Sequence, residues 1–291
     1  MSTELKVETN ENSLDAQLVV AAYEGDVNEV ERLLDAGANV NAYGIVDGCD
    51  YMGTALVLAV YAASEKADKT RQDNCIKVAT MLIEKGADVN FQPSEEPPPR
   101  HERAAPVIHY TVGKGRTEFL KLLIAKGVDV NSTGPDGTED LPVWDEARYG
   151  TLEAVEVLVE AGADIKEAAR SAVTYKREDI LIALLDKDVD PNLNDGELLV
   201  LAVRTNAASY PEEENWEDVT KVLLDAGASI TPKNKQAVTL GIIKRMSESH
   251  GEVDAISKAV SWPQENGYQE LYSNLQAQQP AGAPSNPGDN W

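Results

Sequence analysis

LLDAGANVN (33–41), MLIEKGADVN (81–90), LLIAKGVDVN (122–131), VLVEAGADIK (157–166), ALLDKDVDPN (183–192) and VLLDAGASIT (222–231) are six versions of one phrase, and they decide the fold. Each opens on the apolar end of a helix, reaches a Gly, and passes into an extended stretch that most often closes on Asn. Gly fits there because helices commonly end on a residue with positive φ, a conformation that costs Gly little. In the fifth version Asp188 holds the place, and Asp tolerates the left-handed region better than most residues.

A second landmark lies twelve residues upstream. Gly25, Gly115 and Gly150 precede Gly37, Gly127 and Gly162 by that distance, while Asn74 and Asn215 precede Gly86 and Gly227. Asn is the next-best residue for a left-handed turn. The pattern predicts two short helices joined by a tight turn in each version, with the second helix filling the twelve-residue interval. Val30, Leu33 and Leu34, or Leu120, Leu122, Leu123 and Ile124, give that helix its buried side.

The first helix recurs as well, as QLVVAA (17–22), ALVLAV (55–60) and LLVLAV (198–203). Together these residues resemble ankyrin repeats, whose pattern is a Thr-Pro-Leu-His turn, a short helix, Gly, a second helix, and Gly-Ala-Asp-Val-Asn. The likeness covers residues 14–262. It implies an all-α ankyrin-repeat solenoid of stacked helix-turn-helix units with β-hairpin-like fingers, some enlarged or missing. Such units cannot bury their apolar faces alone and become stable by stacking. The chain departs from the family in places. Only His109 matches the family histidine, for which the resemblance implies a hydrogen-bonding role between repeats; Val19, Val57, Trp144 and Val200 stand there elsewhere. The Thr-Pro start is degraded throughout. A divergent seventh unit is expected over 234–262, with Gly251 opening its last helix and Pro263 standing where a further copy would need Gly. Residues 1–13 and 277–291 read as disordered. Residues 263–276 read as an amphipathic helix built on Tyr268, Leu271, Tyr272 and Leu275, either covering the end of the stack or offering a docking helix.

Successive closing landmarks are 49, 41, 35, 26 and 39 residues apart, against a family period of about 33. The fifth version is too short to carry a finger. Insertions fall in two adjacent fingers, 43–53 and the Pro-rich 91–104, and between the paired helices at 61–73 and 204–214. Tyr43, Tyr51, Met52 and Phe91 flank the long fingers, either as recognition residues or as packing between the fingers. The resemblance implies a concave surface lined by fingers and first helices. The two positions before each mid-unit turn should point into it, which brings Tyr23, Tyr61, Lys114, Arg148, Tyr149, Tyr175 and Arg204 forward as partner-binding candidates. The cations could receive an acidic peptide or a small anion, or could merely offset neighbouring carboxylates.

Composition narrows the partner. Acidic residues number 50 and basic residues 26, a formal net charge of −24, which disfavours nucleic acid and anionic membrane surfaces. Such charge also serves plain solubility. Cys49 and Cys75 are too few for a disulfide framework or a Cys-based zinc site. The three histidines form no metal pair, and no cofactor or catalytic motif is legible. The opening residues lack the apolar run of a signal peptide, and a monomeric cytoplasmic or nuclear protein is expected. The function read from these residues is a protein–protein interaction scaffold. The alternative is a small-molecule binder or unorthodox enzyme that uses the concave cup as a pocket.

Overall fold

A computed structural model of the chain describes residues 13–46, 52–63, 68–91, 104–111, 113, 116–134, 141–204, 216–250, 259, 261–269, 271 and 273. These residues are mostly helical, with one two-stranded sheet. The chain divides into two units, Met1–Asp164 and Ile165–Trp291.

In the first unit, α1 (Leu14–Glu24) starts on Ser13, whose hydroxyl accepts from the Ala16 amide at 3.1 Å. Gly25, at φ 76°, turns the chain into α2 (Val27–Asp35), capped in the same way by Asp26. Strands β1 (Tyr43–Gly44) and β2 (Gly53–Thr54) pair antiparallel, Tyr43 against Thr54. Thr54 then caps α3 (Ala55–Ala62). Asp68 caps α4 (Lys69–Glu84). A 3-10 helix (Val107–Thr111), α5 (Thr117–Ala125), α6 (Pro142–Tyr149) and α7 (Leu152–Glu160) follow. Helix α3 packs on α1, α4 and the 3-10 helix. It therefore buries Ala55, Leu56, Leu58, Ala59, Val60 and Ala62, nearly its whole circumference. Its alanines are what let three neighbours approach. Leu18, Leu33, Leu56, Leu58, Leu82, Ile108, Leu120, Leu123 and Leu158 fill the core, each worth roughly 1.5–3 kcal/mol of burial.

The second unit runs α8 (Ile165–Thr174), α9 (Glu178–Leu185), α10 (Leu193–Val203), α11 (Trp216–Asp225) and α12 (Lys235–His250). Helix α8 begins three residues past Gly162, which leaves no length for a finger. The first turn of α10 holds Asn194, Asp195 and Gly196, all left-handed. Val203, Val238, Ile242, Ala259, Trp262 and Leu271 form a core with Leu199.

The repeated phrase folds into one repeated device. At each closing landmark the helix ends in a Schellman motif, in which two successive amides reach back to the last turn. Gly37 and Ala38 donate to Leu34 and Leu33, and Gly127 and Val128 donate to Ile124 and Leu123. Gly86, Gly162, Asp188 and Gly227 repeat the geometry, all six residues having positive φ. The closing Asn then ties one version to the next. Asn90 donates its carboxamide N–H to Gly127 O at 2.7 Å and accepts from the Asp129 amide at 2.8 Å. Asn131 does the same to Gly162 (3.0 Å) and Asp164 (3.2 Å), and Asn192 to Gly227 (3.0 Å) and Ser229 (2.8 Å). Asn41 accepts from the Asp88 amide at 2.8 Å. The fourth version ends on Lys166, which has no carboxamide to give.

Three landmark readings change. Asn74 makes no turn: it lies inside α4, because the insertion ahead of it moves the start of that helix to Lys69. Gly150 is extended, at φ −91° and ψ −152°, so a left-handed turn is not what requires Gly there. Pro263 sits within a helical stretch over 261–265, and the left-handed residue that ends it is Gly267, with Gly267 and Tyr268 donating to Gln264 and Pro263. Gly115, Asn215, Gly251, Tyr272 and Leu275 lie outside the described residues.

Candidate functional site

The first helices of the first unit share an ending. Tyr23, Tyr61 and Tyr110 are the next-to-last residues of α1, α3 and the 3-10 helix, and Tyr149 is the last of α6. Tyr23 packs on Ala62, Ala63 and Cys75, and the rings of Tyr61 and Tyr110 meet edge to face, 5.5 Å apart. Three successive helix ends are thus contiguous. Tyr149 is the most open of the four, 55% exposed, and the Arg148 guanidinium lies over its ring at 4.3 Å.

Cations along this edge serve the backbone. Arg71 lies 5.3 Å over the Tyr23 ring and donates to the Tyr23 carbonyl at 3.1 Å. Arg116 donates to the carbonyls of both Ala63 and Tyr110. These carbonyls lie at helix C-termini, where partial negative charge gathers and a guanidinium stabilises it. In the second unit Lys176 donates to Ala202 O at 2.7 Å, and Arg245 to Arg204 O at 2.6 Å. Lys176 also takes the mid-unit left-handed position, at φ 57°, directly after the half-buried Tyr175. The Arg204 side chain is exposed.

Of the finger residues, Tyr43 and Phe91 are half-buried and face one another, ring centroids 6.1 Å apart. The contact joins two segments that are far apart in sequence. Met52 is half-buried, and its carbonyl accepts from the Ala104 amide at 2.8 Å. Tyr51, Lys114, His101 and Cys49 lie outside the described residues. His109 Nε2 sits 2.9 Å from the Ser132 carbonyl, a bond that joins segments 23 residues apart.

Sequence reading missed Arg71, Tyr110, Arg116 and Glu146. A tyrosine in the last turn of successive first helices was a signal for Tyr110. Arg71 entered with an insertion, and nothing in its neighbours marks it. Glu146 is only 1% exposed, on a helix whose other buried residues are Pro142, Val143 and Ala147. Cys75 is buried and its thiol is pushed up by burial, which keeps it from acting as a thiolate. A hollow of about 590 Å³ opens to solvent beside the α1–α2 turn, lined by polar side chains including Glu24, Asp26, Asn28, Asn74 and Lys77. Among the described residues no group of three His, Cys, Asp or Glu could hold a metal, and no helix is long and apolar enough to cross a membrane. No protein-family model matches the chain, and no curated protein shows significant similarity to it.

Proposed function

We propose that this chain is an ankyrin-type repeat scaffold that holds a protein partner along the tyrosine-bearing edge of its first unit. The repeat reading is supported by the six Schellman endings and the Asn ties between versions. The binding reading rests on the contiguous ends of α1, α3 and the 3-10 helix, with Tyr23, Tyr61 and Tyr110 in one strip. Tyr offers large, stiff contact area with a polar tip, and Tyr and Arg dominate binding hot spots. Arg71 over the Tyr23 ring and the edge-to-face contact of Tyr61 with Tyr110 hold these rings before any partner arrives, which lowers the ordering cost of binding. A net charge of −24 steers away from phosphate backbones and towards neutral or basic protein surfaces. The hollow beside α1–α2 is open and polar, unlike the mostly enclosed and apolar sites that hold small molecules.

A photo-crosslinking amino acid placed at Tyr149, with a matched control at exposed Lys126 beyond α5, tests the reading in source-cell extract. Discrete crosslinked proteins are expected from position 149 and not from 126. They should be lost when Arg148→Ala and Tyr23→Ala are added. Equal labelling from both positions, or labelling indifferent to those substitutions, removes the edge assignment.

A further inference from the structure

Glu146 is a charged group that the binding edge does not account for. It lies in the last turns of α6 and is 1% exposed. Its carboxyl is folded over Gly150, where an added Cβ would stand 1.4 Å from Oε2 and 2.6 Å from Cδ. Residue 150 is therefore Gly to make room for a carboxyl group, not to make a turn. Neither oxygen has a hydrogen-bond partner, an arrangement that strongly disfavours the ionised form.

The groups that act on it come from three directions. Arg116 and the amide of Gly113 approach from the chain ahead of α5; the amide of Thr151 approaches from the start of α7; Asp145 is its neighbour on α6. The amides lower its affinity for a proton as nearby dipoles, short of hydrogen-bond geometry. Of the other charged side chains on the elements packed there, Arg148 on α6 lies over the Tyr149 ring, and Glu156 and Glu160 stand on α7. His109 on the 3-10 helix meets the Ser132 carbonyl, and Glu153 on α7 meets Lys121 at 2.8 Å. Burial first, then two amide dipoles, one anion and one cation, decide the state of this acid.

We propose that Glu146 is a proton-operated latch between α6 and the backbone at Gly113 and Arg116, drawing them in when ionised and releasing them when protonated. The proton exchanges with solvent, and no other reactant is needed. Burial raises this carboxyl to about 7, so both states are populated near neutrality. Arg116 is the lever. It holds the carbonyls of Ala63 and Tyr110, so its movement reaches the place where Tyr61 and Tyr110 meet. A buried carboxyl that only fills space beside Gly150 has no reason to couple these groups to pH.

Amide NMR of the full chain, titrated from pH 5.5 to 8.5, separates the two cases. The Gly113 and Thr151 amides and the Tyr110 ring should move along one curve with a midpoint near 7. Glu146→Gln should flatten that curve while leaving the remaining spectrum in place. Asp145→Asn removes a neighbouring negative charge and should lower the midpoint, and it serves also if Glu146→Gln does not fold. Signals that stay flat in the wild type, that still titrate in Glu146→Gln, or whose midpoint fails to fall in Asp145→Asn overturn the latch.

Discussion

Asn90→Ala tests whether exposed carboxamides join the repeated versions or merely decorate them. Asn90 is exposed and makes two bonds to the following version, at 2.7 and 2.8 Å, both to backbone. A typical intramolecular hydrogen bond contributes about 0.5–1.5 kcal/mol net, so losing both should cost ~2 kcal/mol. The loss is larger than a surface residue ordinarily produces, which is within about 0.5 kcal/mol either way. Asn28→Ala, on the open face of α2, supplies that baseline. Asn90→Asp keeps the acceptor for the Asp129 amide but sets a carboxylate against the Gly127 carbonyl, so it should cost at least as much as Ala. Urea unfolding of the first unit reads the total, and amide exchange reads the location: Asp129 should lose protection in Asn90→Ala, and Asp164 should not. A cost below ~0.5 kcal/mol, or a loss of protection spread evenly over the unit, would refute the reasoning.

Three further outcomes follow from other contacts. The Glu146 carboxyl has its ordinary value of 4.5 in the unfolded chain and about 7 in the folded one. Its stabilising, protonated state is therefore complete below 4.5 and lost as pH climbs through 7. Relative to Glu146→Gln, the wild type should lose roughly 2–3 kcal/mol of unfolding free energy between pH 5 and pH 8, measured by urea denaturation at each pH. Gly150→Ala should destabilise by about 2 kcal/mol or more through overlap with that carboxyl. In a Glu146→Ala background the penalty should fall by at least ~1 kcal/mol, which a double-mutant cycle reports. Asp188→Gly, at φ 65° where the other versions carry Gly, should stabilise by roughly 0.5–1 kcal/mol in thermal unfolding.

What could be read in advance was whatever a few adjacent residues decide. The closing Gly of each version answers a local demand for positive φ, so 37, 86, 127, 162 and 227 stood out, and Asp188 with them. Apolar spacing likewise located the second helices. The errors share a cause in distance. Gly150 looked like another turn glycine, yet its purpose is to vacate space for Glu146 four residues back, which only the folded helix end shows. Lys176 adopts the left-handed conformation with nothing in its composition to say so, held by a bond to Ala202 26 residues away. Tyr23, Tyr61 and Tyr149 were singled out because position in the repeat is periodic. Arg71 and Arg116 were not, because the carbonyls they serve belong to other helices. The cations that had suggested an anion site were Lys114, Arg148 and Arg204, whereas the helix ends are served by four others, Arg71, Arg116, Lys176 and Arg245.

The ties between versions also carry a clock. Asn is among the chemically fragile residues, and hydrolysis of its side-chain amide leaves Asp. For Asn131, followed by Ser132, that reaction would erase the donor to Gly162 and put a negative charge in its place. A sample kept warm should therefore age at its joints before its core, with peptide mapping finding acid at 131 in step with falling stability. Material that gains acid there while unfolding at an unchanged urea concentration would show that the joint does not bear on lifetime.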